Sequence, residues 1–195
     1  MHGFWKPRVL GAWQVPATGP LILAINHSHN IDGPMVMGTA PRPVHFLIKK
    51  EAFTGPLGAF LRGIGQLEVD RMRADRTAIT RALGVLERGG VLGIFPEGTR
   101  GEGDFASLRA GLAYFAVRSG AQIVPVAVLG STDRKGRLVH GLPPLRGRVD
   151  VVFGAPFTAG DGSGRRTRKA LDDATVRIQE QLTAHLENAR RSTGR

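Results

Sequence analysis

Short apolar runs alternate with helix-like patterns along this chain of 195 residues, and that alternation admits few folds. "LILAI" (21–25) and "VLGIF" (91–95) read as buried strands. "VHFLIK" (44–49), "QLEVD" (66–70), "QIVPVAVL" (122–129) and "RVDVVFGAPF" (148–157) read as further strands. Between them, a short helix starts near Asp32 or Pro34, and a glycine-broken one covers "GPLGAFLRGIG" (55–65). From Ala74 to Arg88, the residues Ala78, Ile79, Ala82, Leu83 and Leu86 recur at helical spacing until Gly89-Gly90 stops the run. Ser107 to Arg118 is also helical, with Gly120 as its stop. After a loop at 158–168, a polar amphipathic helix from about Lys169 to Arg190 closes the chain. Strands alternating with helices predict an α/β layer architecture, a single domain over residues 1–195 with a largely parallel central sheet flanked by helices. The motif-bearing core spans about 11 to 157. In such sheets, ligands bind off the carboxyl ends of strands. Two polar clusters fall there: "NHSHNID" after the strand at 21–25, and "PEGTR" after the strand at 91–95.

Composition narrows the function classes. No apolar run approaches the roughly 20 residues that a spanning helix needs, and the N-terminal stretch lacks a signal-peptide core. The absence of cysteine removes thiol nucleophiles, disulfides and thiolate metal sites, and points to a cytoplasmic protein. Twenty-seven Lys plus Arg against sixteen Asp plus Glu give a net charge of +11. Such a chain favours polyanions: nucleic acid, an anionic membrane surface or phosphorylated substrates. An arginine-rich solvated surface explains the same charge equally well.

In the first cluster, His27 and Asp32 are five apart, which along a regular helix is a rotation of about 500°, so they meet only if the chain turns between them. A strand end leading into a helix start is such a turn. An imidazole at the strand's carboxyl end, oriented by a carboxylate, is a general base near neutral pH. His29, three residues before Asp32, shares a face with it if the helix begins early. The competing reading is a helix cap by Asn30 or Asp32 beside two bystander histidines. "HSH" could hold zinc, but Ile31 stands where a binuclear hydrolase needs an aspartate, so no metal is expected.

In the second cluster, Glu97 and Arg100 bring opposite charges to a strand tip, and Gly98 lets a ligand approach the backbone. Thr99 and Arg100 suit a phosphate, through a hydroxyl, free N–H groups and a forked guanidinium. A charged surface turn with an internal Glu–Arg pair is the alternative. "EVDRMRADR" (68–76) reads either as a solvated charge run or as a segment in which Arg71 adds a second phosphate contact. "GEGDFA" (101–106) follows no strand directly and is rejected as a dinucleotide loop.

Taken in order, these stretches resemble the glycerolipid acyltransferase family, typified by lysophosphatidate acyltransferases. "NHSHNID" resembles its first block, "KKEAFTGPLGAFLRGIGQLEVDR" (49–71) its second, "FPEGTR" (95–100) its third and "IVPVAV" (123–128) its fourth, so the likeness covers about Gly11 to Phe157. The resemblance implies acyl transfer from a thioester, acyl-CoA or an acyl-carrier protein, to a hydroxyl of a phosphate-bearing glycerolipid. The most favoured acceptor is 1-acyl-glycerol-3-phosphate, giving phosphatidate. It implies that His27 is the base, Asp32 its orienting partner, and Arg71, Glu97, Gly98, Thr99 and Arg100 the acceptor-phosphate pocket. No covalent intermediate and no cofactor beyond the co-substrate are implied, because a thioester is already activated.

Gly101 stands where the family often has serine, and Glu68-Val69 replaces its usual apolar pair. Glycerol-3-phosphate, another lysophospholipid or a glycolipid alcohol are alternative acceptors. The expected location is the inner face of the cell membrane, held peripherally through basic and apolar surface, with Phe4, Trp5, Lys6, Arg8 and Trp13 as one candidate patch. Ordinary packing accounts for that patch equally well. From a different class, a non-catalytic basic lipid- or nucleic-acid-binding protein remains the competitor, although no specific nucleic acid is expected.

Overall fold

The computed structural model describes residues 6–70, 72, 75–98, 103–105, 108–130, 147–160 and 167–195. Each apolar run becomes a strand for the reason its pattern gives. In Leu21–Ile25 (β2), Leu21, Leu23 and Ile25 enter the core on one face while Ile22 and Ala24 enter the core on the other. A strand buried on both faces needs no polar alternation, as parallel sheets require. The other strands are Lys6–Leu10 (β1), Val44–Lys49 (β3), Leu67–Val69 (β4), Val91–Ile94 (β5), Gln122–Leu129 (β6) and Arg148–Phe153 (β7). Among the described residues these form one seven-stranded sheet in the order β1-β7-β6-β2-β5-β3-β4. β6, β2, β5, β3 and β4 are mutually parallel, whereas β7 runs antiparallel to β6 and carries β1 parallel to itself.

The helices are Asp32–Thr39 (α1), Gly55–Gly63 (α2), Arg76–Glu87 (α3), Gly111–Ser119 (α4) and Arg168–Thr193 (α5). Ala82 and Leu86 of α3, Leu112, Phe115 and Ala116 of α4, and Ile178, Leu182 and Leu186 of α5 share one core with the sheet. Met35 and Val36 of α1 pack with Val124, Val126 and Val128 of β6 and Val149 and Val151 of β7 in the other. None of the described helices is long and apolar enough to cross a membrane.

The α/β class and the largely parallel sheet are as read from sequence, with shifts at element ends. β1 was not expected, because Lys6 and Arg8 read as part of a candidate membrane-facing patch. It forms by pairing in register with β7, and Arg8 reaches the buried Asp150 at 2.6 Å. β7 stops at Phe153 rather than 157. Beyond the Gly154–Ala155–Pro156 bend, only Phe157 returns to the sheet, bridging Ile123. α3 begins at Arg76 rather than near Ala74, because the Asp75 carboxylate caps it by accepting the Ala78 N–H at 2.9 Å. α4 starts at Gly111, later than the predicted Ser107, which lies outside the described residues.

Candidate active site

Parallel order brings the carboxyl ends of β2, β5 and β3 to one edge of the sheet, and the polar clusters gather there. Where β2 ends, Asn26 extends its hold on β6. Its Nδ2 donates to the Val128 carbonyl (3.1 Å) and its Oδ1 accepts the Val128 N–H (2.7 Å). That side-chain pairing fixes where the loop leaves the sheet, one residue before His27.

The loop then folds around Asp32. The Oδ2 of Asp32 accepts N–H groups from Ser28 (2.9 Å) and His29 (2.6 Å), and it faces His27 Nδ1 at 3.2 Å. Asp32 is fully buried, and its other oxygen, Oδ1, accepts no hydrogen bond among the described residues. The two histidines are thereby told apart. The imidazole of His27 meets the carboxylate, whereas His29 meets it with its backbone N–H. The capping alternative fails in detail: Ile31 holds the cap position of α1 without a side-chain cap, and Asp32 binds the loop before the helix.

Aromatic packing holds the imidazole from its other side. A Cβ on Gly93 of β5 would overlap the Phe46 ring, so glycine there lets Phe46 cross the strand. Phe46 stacks on Phe95 with centroids 5.5 Å apart, and Phe95 stacks on the His27 ring at 4.1 Å. The apolar stack fixes the ring plane, while Asp32 fixes which nitrogen points inward. With Nδ1–H donating to the carboxylate, Nε2 is left as the basic nitrogen.

β5 ends in the turn Phe95–Gly98, closed by the Gly98 N–H donating to the Phe95 carbonyl (3.0 Å). Gly98 has φ of 73°, the left-handed region that glycine enters without penalty. Glu97 turns inward and accepts the Phe105 N–H at 3.1 Å. Burial pushes the Glu97 carboxyl above the usual range, with Asp104 adding to the rise, while the Phe105 N–H and His27 pull the other way. Gly103 lies against Asn26 and Ser28, so the segment 103–105 ties the two loops together. Buried Phe105 is held with φ of 60°, and Gln179 of α5 donates to its carbonyl at 3.0 Å. At the end of β4, Asp70 pairs with Lys50 at 2.7 Å, an attraction that raises the lysine's pKa.

Of the sequence-predicted residues, His27, Asp32, Glu97 and Gly98 therefore come together at one edge, whereas Arg71, Thr99 and Arg100 lie outside the described residues. The sequence reading did not single out Asn26, Phe95 or Arg109. Arg109 is exposed and lies across Gly98, its Nε filling the space where a Cβ would stand. Only contacts across the fold reveal the stack and the arginine, but Asn26 could have been suspected from its place between a buried strand and His27. Among the described residues no group of three or more His, Asp or Glu gathers as a metal site.

A mostly parallel sheet that buries a carboxylate beneath an imidazole, and sets a glycine turn on the adjacent strand, has the layout of an α/β enzyme. Residues 6–129 match the Acyltransferase family, and the chain belongs to this family of O-acyltransferases. It is 27% identical over 183 residues to the 1-acyl-sn-glycerol-3-phosphate acyltransferase of Bacillus subtilis, covering 93% of this chain and 88% of that one. A chloroplastic enzyme of the same description from Arabidopsis thaliana is 26% identical over 192 residues, and this chain spans 51% of its length. The fold is that of the crystallised 1-acyl-sn-glycerophosphate (LPA) acyltransferase of Thermotoga maritima, with a TM-score of 0.73 at 24% identity, over 94% of this chain and 71% of that one.

Proposed function

We propose that this acyltransferase moves a fatty acyl group from an acyl thioester to the free hydroxyl of lysophosphatidate, giving phosphatidate. The observation that carries the reading is His27, held by the buried Asp32 at 3.2 Å with its other nitrogen available at the sheet's carboxyl edge. Relatives named for the same reaction over most of this chain support the acceptor.

His27 Nε2 takes the proton of the acceptor hydroxyl as the oxygen attacks the thioester carbonyl. Asp32 stabilises the imidazolium that forms. The tetrahedral intermediate expels the thiolate as the C–S bond breaks, and His27 returns the proton to sulfur. The products are the new ester and a free thiol, with no covalent enzyme intermediate. Glu97 and Gly98, with Arg71, Thr99 and Arg100, form the acceptor-phosphate pocket, to which the Arg109 guanidinium adds a cation. The donor is acyl-CoA or an acyl-carrier protein, and no metal or prosthetic group takes part. The enzyme works at the cytoplasmic face of the cell membrane, where a charge of +11 suits both an anionic leaflet and an acidic carrier protein.

The test is turnover of labelled acyl donor with lysophosphatidate, glycerol-3-phosphate and a neutral lysolipid. The first acceptor should win, and His27→Ala should abolish the product. Equal use of the neutral lysolipid would remove the phosphate-pocket assignment.

A further inference from the structure

α2 is out of place for a soluble surface. Its sequence, "GPLGAFLRG", carries one charge, Arg62, and a helix that is apolar on nearly every side belongs in a core. Yet only Gly58 is buried, packed on the Phe53 backbone, while Leu57 is 58% and Phe60 60% exposed. With Ile64 just past the helix end, these residues fall at i, i+3 and i+7, one continuous stripe. Two anchors hold the helix, and both leave the stripe outward. Arg62 donates to the Phe53 carbonyl (3.3 Å), and Gln66 behind it donates to the Val44 and Ile64 carbonyls.

The surroundings say what covers the stripe. A 3-10 turn at Lys50–Ala52 leads from the carboxyl end of β3 into α2, so the helix starts at the sheet edge that carries His27 and runs back toward Val44, where Gln66 is anchored. At its starting end the chain exposes Lys49, and Arg62 is exposed beside Phe60, while Lys50 is paired with Asp70. Apolar side chains flanked by the cations Lys49 and Arg62 match a layer with acyl chains inside and phosphates outside. A second copy of a chain charged +11 would bring like charges together. The stripe also offers on the order of 300 Å², well short of the roughly 800 Å² per partner of a stable interface. The other exposed aromatic among the described residues with a claim, Trp13 at 84%, follows β1. That strand lies on the far side of the sheet, three strands from β2 in the order β1-β7-β6-β2, and so away from His27.

We infer that α2 is the membrane-docking element. Leu57, Phe60 and Ile64 enter the acyl layer of an anionic leaflet, and Lys49 and Arg62 lie on its phosphates, so a lipid acceptor reaches His27 from the bilayer. This rests on the reading of a lipid acceptor for the site.

Cosedimentation with phosphatidylcholine vesicles, with and without phosphatidylglycerol, tests it. The wild-type chain should pellet with the anionic vesicles, more weakly at high salt. The double variant Leu57→Gln/Phe60→Gln should lose at least about a hundredfold in partitioning, and Trp13→Gln should lose none. Turnover of a short-chain lysophosphatidate dissolved as monomers should be the same in the double variant and the wild type, while turnover of vesicle-embedded acceptor falls in the variant. As a second measure, Phe60→Trp in a Trp5→Phe/Trp13→Phe background should shift its emission to the blue on vesicles and be quenched by brominated acyl chains.

Three results would overturn the assignment. They are a wild type indifferent to vesicles, a double variant that pellets like the wild type, or a wild-type dimer that the double variant turns into a monomer. If neither acceptor form turns over while the binding pattern holds, docking stands and the proposed reaction is the part that fails.

Discussion

Two fully buried aspartates, Asp32 and Asp150, sit in the same sheet architecture and are answered in opposite ways. Asp150 of β7 is met by guanidinium groups from three places in the chain: Arg8 at 2.6 Å, Arg148 at 3.4 Å and Arg195 at 3.0 Å. Fixed cations neutralise it, and the cluster ties β1, β7 and the end of α5 together. Asp32 has no fixed cation among the described residues. It is held by two backbone N–H groups and one imidazole, and its Oδ1 accepts no hydrogen bond from them. In the proposed mechanism that charge is matched only in the intermediate, when His27 holds the acceptor's proton. Permanent neutralisation makes a brace, and neutralisation deferred to an intermediate makes a catalyst's support.

The sharpest way to break this contrast is at the dyad. His27→Ala should lower kcat by about 10³–10⁴, some 4–5.5 kcal/mol, and Asp32→Asn by about 10²–10³. Both should leave the melting temperature within a few degrees, because Asp32→Asn removes a buried charge and keeps an oxygen for the Ser28 and His29 N–H groups. Kinetics and calorimetry on the same preparations check the split. A Tm loss above about 10 °C in Asp32→Asn would make Asp32 a brace as well.

Asp150→Asn should do the reverse. It strands three guanidinium groups around a neutral side chain, at a cost of about 3–5 kcal/mol, or about 6–20 °C in Tm for a chain of this size. At low temperature its kcat should stay within about twofold of wild type. Thermal unfolding followed by assay at about 15 °C separates these effects.

The contrast also marks what a reader of the sequence can see. β2 and β6 were legible to the residue, because strands buried on both faces leave long apolar runs, and β3 was legible from its alternation, with Val44 and Phe46 buried. Spacing alone left His29 a claim on Asp32, the family resemblance assigned the pair to His27, and the turn shows His27 approaching by side chain and His29 by backbone. β1 was not legible, since its support comes from far along the chain, 142 residues separating Arg8 from Asp150. Phe95 looked like the last residue of a strand, and its role in gripping His27 depends on Gly93 making room for Phe46. Local patterns encode burial and turns. Long-range neighbours, which orient the His27 ring, leave no local trace.

A smaller effect is expected at Gly98. Alanine there must adopt φ near 73°, which costs about 1–2 kcal/mol, and its Cβ forces Arg109 aside. The acceptor KM should rise about tenfold with kcat changed less, and a phosphate-free acceptor should show no such rise.

The smallest and most discriminating change is Glu97→Gln. Burial raises the Glu97 carboxyl above its ordinary value, so in the folded chain ionisation is disfavoured. A carboxyl whose folded pKa is raised contributes its full stability below its unfolded pKa, and that contribution is lost as pH climbs through the folded pKa. Above that window the wild type therefore carries a penalty that the glutamine variant lacks. The amide oxygen of the variant can still accept the Phe105 N–H, so it should be more stable than wild type at pH 8 by about 1 kcal/mol or less, solvent at the partly exposed carboxyl screening the rest. The advantage should vanish near pH 4. Activity should fall even as stability rises, because the carboxylate serves the site and not the fold, as with Asp32 and unlike Asp150. Melting curves at both pH values decide the matter. A variant less stable than wild type at pH 8 would move Glu97 to the bracing side of the comparison.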